Sequence, residues 1–207
     1  MPRPELRGEL SAEDLRAALG ECRIGRQIIV IRETSSTNDF VFRMATPSVP
    51  EGLVVFAEHQ TAGRGQRNNR WESASHKGLW FSILLRPEIP VAESARLTNW
   101  TAETIAQTIL EQFAIRAAIK LPNDIYIKER KIAGVLVEMR VIEDGGYVAI
   151  IGIGVNVNQT AEEFSEEVRS RAISLATVTG GQVDRHDFAV ALLRDLDRTY
   201  SDNFHSP

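Results

Sequence analysis

The apolar positions of this chain change period along its length, and the changes mark its elements. Residues 11–19, SAEDLRAAL, open on Ser11 and place acids in the first turn, the composition of a short capped helix ending at Gly20. IIVIR (28–32), LVVFAE (53–58) and LWFSILL (79–85) are β-branched or aromatic runs separated by polar, Gly-containing stretches, so each is expected to be a strand. From Val91 to Phe113 the period becomes helical: Leu97, Thr101, Ile105, Ile109 and Phe113 share one stripe with Ala102 and Ala106. DIYIK, IAGVLVEMRVI and YVAIIGIGVNVN then read as three strands divided by the turns ERK and EDGG, an antiparallel meander. Residues 186–204 return to helical spacing with Phe188, Leu192, Leu196 and Tyr200, a helix expected to cover one face of that sheet. The predicted class is α+β, a mixed, largely antiparallel sheet with helices packed against it.

Length and composition narrow the function. At 207 residues, 43% hydrophobic and 25% charged, the chain suits one globular domain spanning 1–207, with residues 1–9 as a flexible N-terminus. Its 24 basic residues are outnumbered by 28 acidic ones, so the whole surface cannot coat DNA and any anion site must be local. The single cysteine, Cys22, excludes an internal disulfide and a paired-thiol zinc or redox centre. No apolar run long enough for a signal core or a membrane span occurs, and the expected location is the cytoplasm, where the sequons at Asn99 and Asn158 carry no meaning.

Four segments carry candidate chemistry. In AGRGQRNNRW (62–71), continued to Lys77, Arg64, Arg67, Arg70 and Lys77 face one acid, Glu72, while Gly63 and Gly65 permit close backbone approach. Forked guanidinium donors in such a loop suit phosphate or carboxylate, although an ordinary solvated loop has the same spacing. Trp71 closes the loop and could stack on a planar heterocycle or simply belong to the core. ETSSTND (33–39) places Asp39 three residues after Ser36, a capping-box interval that either caps a helix or presents polar groups to a ligand at its N-terminus. KLPNDIYIKERKIAGVLVEM (120–139) gathers Lys120, Asn123, Asp124 and Lys131 around a hairpin, where cations can stabilise charge on a phosphoryl group and a carboxylate can hold Mg²⁺ or take a proton. In GIGVNVN (152–158), Asn156 and Asn158 share one side of an apolar strand, and pairing within the fold or with a ligand would each satisfy them.

Together and in this order, ETSSTND, AEHQTAGRGQRNNRW, KGLWFSILLRP, KLPNDIYIKERKIAGVLVE and IGIGVNVN resemble the catalytic domain of the biotin protein ligases, from about residue 10 to residue 204. The resemblance implies a class II aminoacyl-tRNA-synthetase-like (biotin/lipoate ligase) fold. It also implies the ATP-dependent activation of biotin to biotinyl-5′-adenylate and transfer of the biotinyl group to one lysine of a biotin carboxyl carrier protein, such as that of acetyl-CoA carboxylase. Carried over by position, Ser36, Thr37, Asn38 and Gln60 fall at the ureido end of biotin, Gly63, Arg64, Gly65 and Gln66 on the loop that orders over it, Trp80 at its aromatic wall, and Gly134 beside Lys131. Lys131, rather than Lys120, matches the lysine touching the biotin carboxylate and the α-phosphate. Trp71, Asn123, Asn156, Arg67 and Arg70 match the ATP side. Lys131, Arg64 and Asp124 are the implied catalytic set, with Asp124 also the implied ligand of Mg²⁺.

Departures from the family pattern accompany the match. The family loop G-R-G-R-x-[GN]-R-x-W has its second and third arginines replaced by Gln66 and Asn69, with Arg67 and Arg70 each displaced by one position, which predicts weaker closure over the adenylate. Leu121 stands where the family has an aromatic residue, a change that reads as repacking. Neither the DNA-binding winged helix nor the small C-terminal barrel of longer members is expected, so neither DNA nor membrane is an expected partner, and a homodimer through sheet edges is implied by resemblance alone. A lipoate or octanoate ligase of the same fold, or a degenerate module that binds biotin without turnover, are the rival readings. The Arg-Arg-x-Ser-Gly-Gly-Gly type segment of the former is missing.

Overall fold

The computed structural model describes residues 8–142 and 146–204, so the expected turn residues 143–145 and seven of the nine N-terminal residues lie outside the described part. Its elements are α1 (Ala12–Leu19), β1 (Gln27–Thr34), α2 (Thr37–Met44), β2 (Leu53–Gln60), β3 (Leu79–Leu85), α3 (Ala95–Phe113), β4 (Ala118–Lys120), β5 (Asp124–Ile127), β6 (Arg130–Val141), β7 (Tyr147–Val155), α4 (Glu166–Arg169), α5 (Leu175–Thr179) and α6 (Arg185–Phe204). The strands form one sheet in the order β1-β2-β3-β7-β6-β5-β4, parallel between β1 and β2 and antiparallel elsewhere. This is the α+β class read from the pattern. β4 and the short helices α4 and α5 were not legible, being too brief to show a period.

Local rules account for the boundaries. Ser11 accepts from the Asp14 N–H and Gly20 leaves the helix at φ 71°, so α1 is capped at both ends, the first cap being worth about 1 kcal/mol. The β5–β6 turn falls on Lys128 and Glu129 rather than on ERK as a whole, because both take positive φ, 49° and 60°, the two-residue geometry that matches strand twist. The expected helix from Val91 begins as a separate 3₁₀ turn, and regular α3 starts at Ala95.

The two faces of the sheet are covered differently, and this creates the site. Phe56, Phe81, Ile83, Ala133, Val135, Ile151 and Ile153 point to the face where α1, α3 and α6 pack, and all are buried. On the other face Val55, Leu84, Val148 and Ile150 pack with Val41 of α2 and with Ala45 just past its end. Beyond the end of α2 that face carries Ser82, Gly134, Leu136, Glu138, Gly152 and Gly154 in place of large apolar side chains, since alternate residues of β3, β6 and β7 point there. On the core side, Glu58 and Arg185 form an ion pair at 2.7 Å, with exposures of only 2% and 3%. Glu58 also accepts from the Leu10 N–H, and Arg185 donates to the carbonyls of Gly8 and Gly78, so that the pair ties the described start of the chain to α6.

Candidate active site

A pocket opens on the helix-poor face, lined by Ser36, Thr37, Asn38 and Gln60 at one end and by Trp71, Asn123, Lys131 and Gly134 at the other. At the first end a ring of hydroxyls and amides is built. Thr37 donates from its backbone N–H to Gln60 Oε1 at 2.9 Å, and its hydroxyl lies 3.1 Å from the same oxygen. Ser82, buried in the middle of β3, places its hydroxyl 2.7 Å from Thr37 Oγ1 and 2.5 Å from Asn38 Oδ1. Gln60 Nε2 donates to Ser73 at 3.2 Å, which fixes its amide orientation. Ser36 stands at the N-cap position of α2 but makes no side-chain cap bond, so the capping reading of ETSSTND does not hold and the buried Ser36 faces the pocket instead.

At the second end, Trp71 packs against two glycines whose missing side chains make room for it. A Cβ on Gly154 would fall 2.6 Å from Trp71 Cζ2, and one on Gly134 would fall 2.9 Å from Cζ3. Lys131 Nζ stands 5.2 Å from the Trp71 ring and 2.6 Å from Asp124 Oδ1. Trp71 Nε1 is buried with no acceptor among the described residues. Asn123 lines the pocket and donates from Nδ2 to the Val135 carbonyl at 2.8 Å, holding the loop before β5 onto β6.

Between the two ends lies Arg64. Its Nη1 donates to Asp39 Oδ2 at 2.5 Å and its Nη2 to Glu138 Oε2 at 3.0 Å. The hydrogen bond from Arg64 holds the Asp39 carboxyl below the usual carboxylate range, and the same bond raises Arg64 further above its already high value. Glu138 is itself fixed by Asn38 Nδ2 at 2.7 Å and by Arg140 Nη2 at 2.6 Å. Arg64 is therefore compensated by carboxylates, not the uncommitted cation that the composition of its loop suggested.

Other residues singled out in the sequence lie further off. Lys77 turns to Glu163 at 3.0 Å, and Lys120 to Glu129 at 2.9 Å, so neither joins the pocket. Arg67 and Arg70 are exposed on the loop, and they and Gln66 are not among the pocket-lining residues. Gly63 is buried beneath the loop, with its carbonyl accepting from the Trp71 N–H, and Gly65 lines the pocket. Trp80 is buried behind Trp71, edge-on to it at 6.0 Å, and supports that ring rather than lining the cavity. Asn156 and Asn158 lie just past the end of β7 rather than on the expected strand; Asn156 bonds to the Lys131 carbonyl and Gln159, and Asn158 to both backbone groups of Val183, so each is paired within the fold. Asp124 stands one position behind the lining, reached through Lys131. Leu121 is 79% exposed between β4 and β5, so its replacement of an aromatic residue repacks no core.

Sequence reasoning passed over Ser82, Glu138, Gly152 and Gly154, and read Asp39 as a capping acid rather than as the partner of Arg64. Each left a signal: a hydroxyl, a carboxylate and two glycines inside otherwise apolar strands, where burial demands a partner or a close approach.

Residues 30–158 match the family described as biotin/lipoate A/B protein ligase. The chain belongs to this family. It is 37% identical over 195 residues to the "Bifunctional ligase/repressor BirA" of Bacillus subtilis (strain 168), which covers 94% of this chain and 60% of that protein. It is 31% identical over 201 residues to the "Biotin--[acetyl-CoA-carboxylase] ligase" of Mycobacterium tuberculosis, covering 94% of this chain and 72% of the relative. Among solved structures, the biotin protein ligase from Aquifex aeolicus in complex with biotin and ATP superposes with a TM-score of 0.71 at 32% identity, over 86% of this chain and 72% of that one. The chain thus spans about 60% of the length of the BirA relatives it matches. Among the described residues no helix is long and apolar enough to cross a membrane.

Proposed function

We propose that this chain activates biotin with ATP to biotinyl-5′-adenylate and passes the biotinyl group to a lysine of a biotin carboxyl carrier protein. The observation that carries the reading is the layout of one pocket, with a ring of hydroxyls and amides at one end and Lys131 beside Trp71 at the other. A fused urea offers donors and an acceptor to Ser36, Thr37, Asn38, Gln60 and Ser82. A lipoyl dithiolane has neither, so it would bury this polar ring against an apolar ligand with no hydrogen bond gained in return, whereas a urea can exchange bonds with it. The biotin complex of the Aquifex aeolicus relative supports the same choice.

In the first step a carboxylate oxygen attacks the α-phosphorus, the bond from that phosphorus to the bridging oxygen breaks, and pyrophosphate leaves with the electron pair. A carboxylate is already a nucleophile at neutral pH, so the chain's task is to hold two anions together. Lys131 lies where it can touch both, and Trp71 offers an indole face for the adenine. Asn123 holds the segment that carries Asp124, and Asn156 holds the Lys131 backbone, so these two act on the ATP side by position. In the second step a neutral acceptor amine attacks the acyl carbon, the carbon–oxygen bond to AMP breaks, and the amine proton passes to a base. Asp124, 2.6 Å from Lys131 Nζ, is assigned that proton and the orientation of Lys131.

A magnesium ion arriving with the triphosphate keeps most of its ligands from phosphate and water and needs one or two protein carboxylates. Asp124, a carboxylate beside the pocket whose Oδ1 is already paired with Lys131, would offer its other oxygen to such an ion, and the ion would neutralise phosphate charge.

The test is to incubate the chain with Mg-ATP and a carrier domain, with biotin or lipoate in parallel, and to weigh the carrier. The reading requires one biotinyl addition at a single lysine. Lipoyl addition instead would assign the rival substrate, and an unmodified carrier in both would leave a binding module.

A further inference from the structure

Behind the end of the pocket that holds Trp71 and Lys131 runs a buried polar chain, of which the reaction above uses only Asn156. Gln159 and Asn156 are 2% and 5% exposed. Gln159 Nε2 donates to Asn156 Oδ1 at 3.0 Å, and Asn156 Nδ2 donates to the Lys131 carbonyl at 3.4 Å. The backbone of Gln159 is tethered in turn, its carbonyl accepting from the Ser174 hydroxyl at 2.6 Å. Its side-chain Oε1 is buried and accepts no hydrogen bond among the described residues. An amide buried with its oxygen unpaired is kept for its N–H end. Two neighbours therefore decide which way the Asn156 amide faces. Reversed, it would set Nδ2 against the Gln159 donor and Oδ1 against the Lys131 oxygen. Reversing both amides together would still leave two carbonyl oxygens opposed at Lys131.

Asn156 continues the line of β7, its N–H donating to the Ile132 carbonyl at 2.8 Å, so it shares a face with Gly154, on which Trp71 rests. Each end of its amide keeps one unused capacity, a second hydrogen on Nδ2 and a second lone pair on Oδ1. Adenine presents a donor, N6, beside an acceptor, N7, the pair that an Asn amide reads with two bonds, whereas a 6-oxo purine presents two acceptors there. We propose that Gln159 is a positioning residue for nucleobase selection: by fixing the Asn156 amide it sets the order of donor and acceptor that a base meets beside Trp71. In this role Gln159 rests on the reading of this end as the ATP site.

The test supplies the full chain with biotin and either ATP or ITP, whose base carries an oxygen at position 6, and follows pyrophosphate release. The parent should favour ATP over ITP by about tenfold in kcat/KM, the factor of one mismatched base contact. Gln159→Met, similar in size but without the donor, should bring that ratio to about twofold by raising the KM for ATP about fivefold, with kcat and the KM for biotin unchanged. A merely structural role would lower kcat with both nucleotides and keep the ratio. Gln159→Glu at about pH 8.5, where an ionised carboxylate opposes Asn156 Oδ1, carries the same expectation should Gln159→Met fail to fold. An undiminished ratio in a folded variant, or a parent that uses ITP as well as ATP, overturns the proposal. Should neither nucleotide yield an adenylate, calorimetric titration of both into parent and variant reads the same ratio. Its loss in the variant then keeps the role of Gln159 and rejects the biotin-activating reading, and no heat from either nucleotide overturns both. Adenylate formation with an undiminished ratio keeps the reading and rejects the role.

Discussion

Trp71 rests on Gly154 so closely that a methyl group on that glycine would lie within 2.6 Å of its ring. Two residues earlier on the same strand and face, Gly152 stands in the same relation to the Asn38 side chain. The strand therefore carries one glycine under each end of the pocket. Gly154→Ala should raise the KM for ATP at least tenfold with a smaller change for biotin, and Gly152→Ala should do the opposite, each forced shift costing about 1–3 kcal/mol. Initial-rate kinetics with each substrate varied will show it; equal effects of both variants on both substrates would deny the two-ended layout.

Gln66 stands where the family loop carries an arginine, and the loop positions Arg67 and Arg70 are exposed rather than turned to the pocket. Restoring a cation should strengthen closure over an anionic adenylate. Gln66→Arg should slow release of biotinyl-5′-adenylate severalfold, measured by rapid filtration after biotin and ATP are removed. Equal release from the two proteins would show that the substitution does not loosen the loop.

On the core side, Glu58 and Arg185 are both almost fully buried and share hydrogen bonds with backbone groups of Gly8, Leu10 and Gly78. Removing Arg185 takes both guanidinium bonds from buried Glu58 and leaves it only the Leu10 N–H and His76 Nδ1, 3.3 Å away, among the described residues. Arg185→Met should destabilise the chain by about 3–5 kcal/mol, and adding Glu58→Gln to it should recover part of that loss. Denaturant unfolding of the two single variants and the double variant measures this; strictly additive losses would mean the two groups do not act as a pair.

Burial, together with the charge of Glu51, pushes the Tyr200 hydroxyl well above the ordinary tyrosine value, and that hydroxyl donates to Glu51 Oε2 at 3.1 Å. The unfolded phenol ionises first, near pH 10, so stability should fall as pH rises past that value. Tyr200→Phe should cost about 1 kcal/mol at pH 8 and lose less than the parent between pH 9.5 and 11. Parallel melting curves that differ by a constant amount across that range would contradict the assignment.

What the sequence made legible was what has a period or a motif. The long helices α3 and α6 and the strands β1, β2, β3, β6 and β7 follow from spacing, and the Lys131–Asp124 pair follows from a hairpin that returns the chain upon itself. What it hid depends on pairing between distant segments. Asp39 looked like a capping-box acid because the interval from Ser36 fits, but Arg64 approaches it from the loop and offers a charged, forked donor, which outcompetes a backbone N–H. The loop's arginines suggested a free cationic clamp because composition counts charges and cannot see that Glu138, 74 residues away from Arg64, neutralises one of them. Asn156 and Asn158 were equally compatible with ligand and fold until Gln159 and Val183 came within reach.

In the proposed reaction Lys131, with Trp71 beside it, is the group that lets a carboxylate approach the α-phosphate. The direct measurement is to supply the chain with biotin and ATP labelled in the α-phosphate, without any acceptor, and to separate the products. Labelled biotinyl-5′-adenylate should form in an amount near that of the protein and only when biotin is present, and Lys131→Met should slow its formation by about 10²–10³-fold. No adenylate from the parent chain, or an undiminished rate in Lys131→Met, would contradict it.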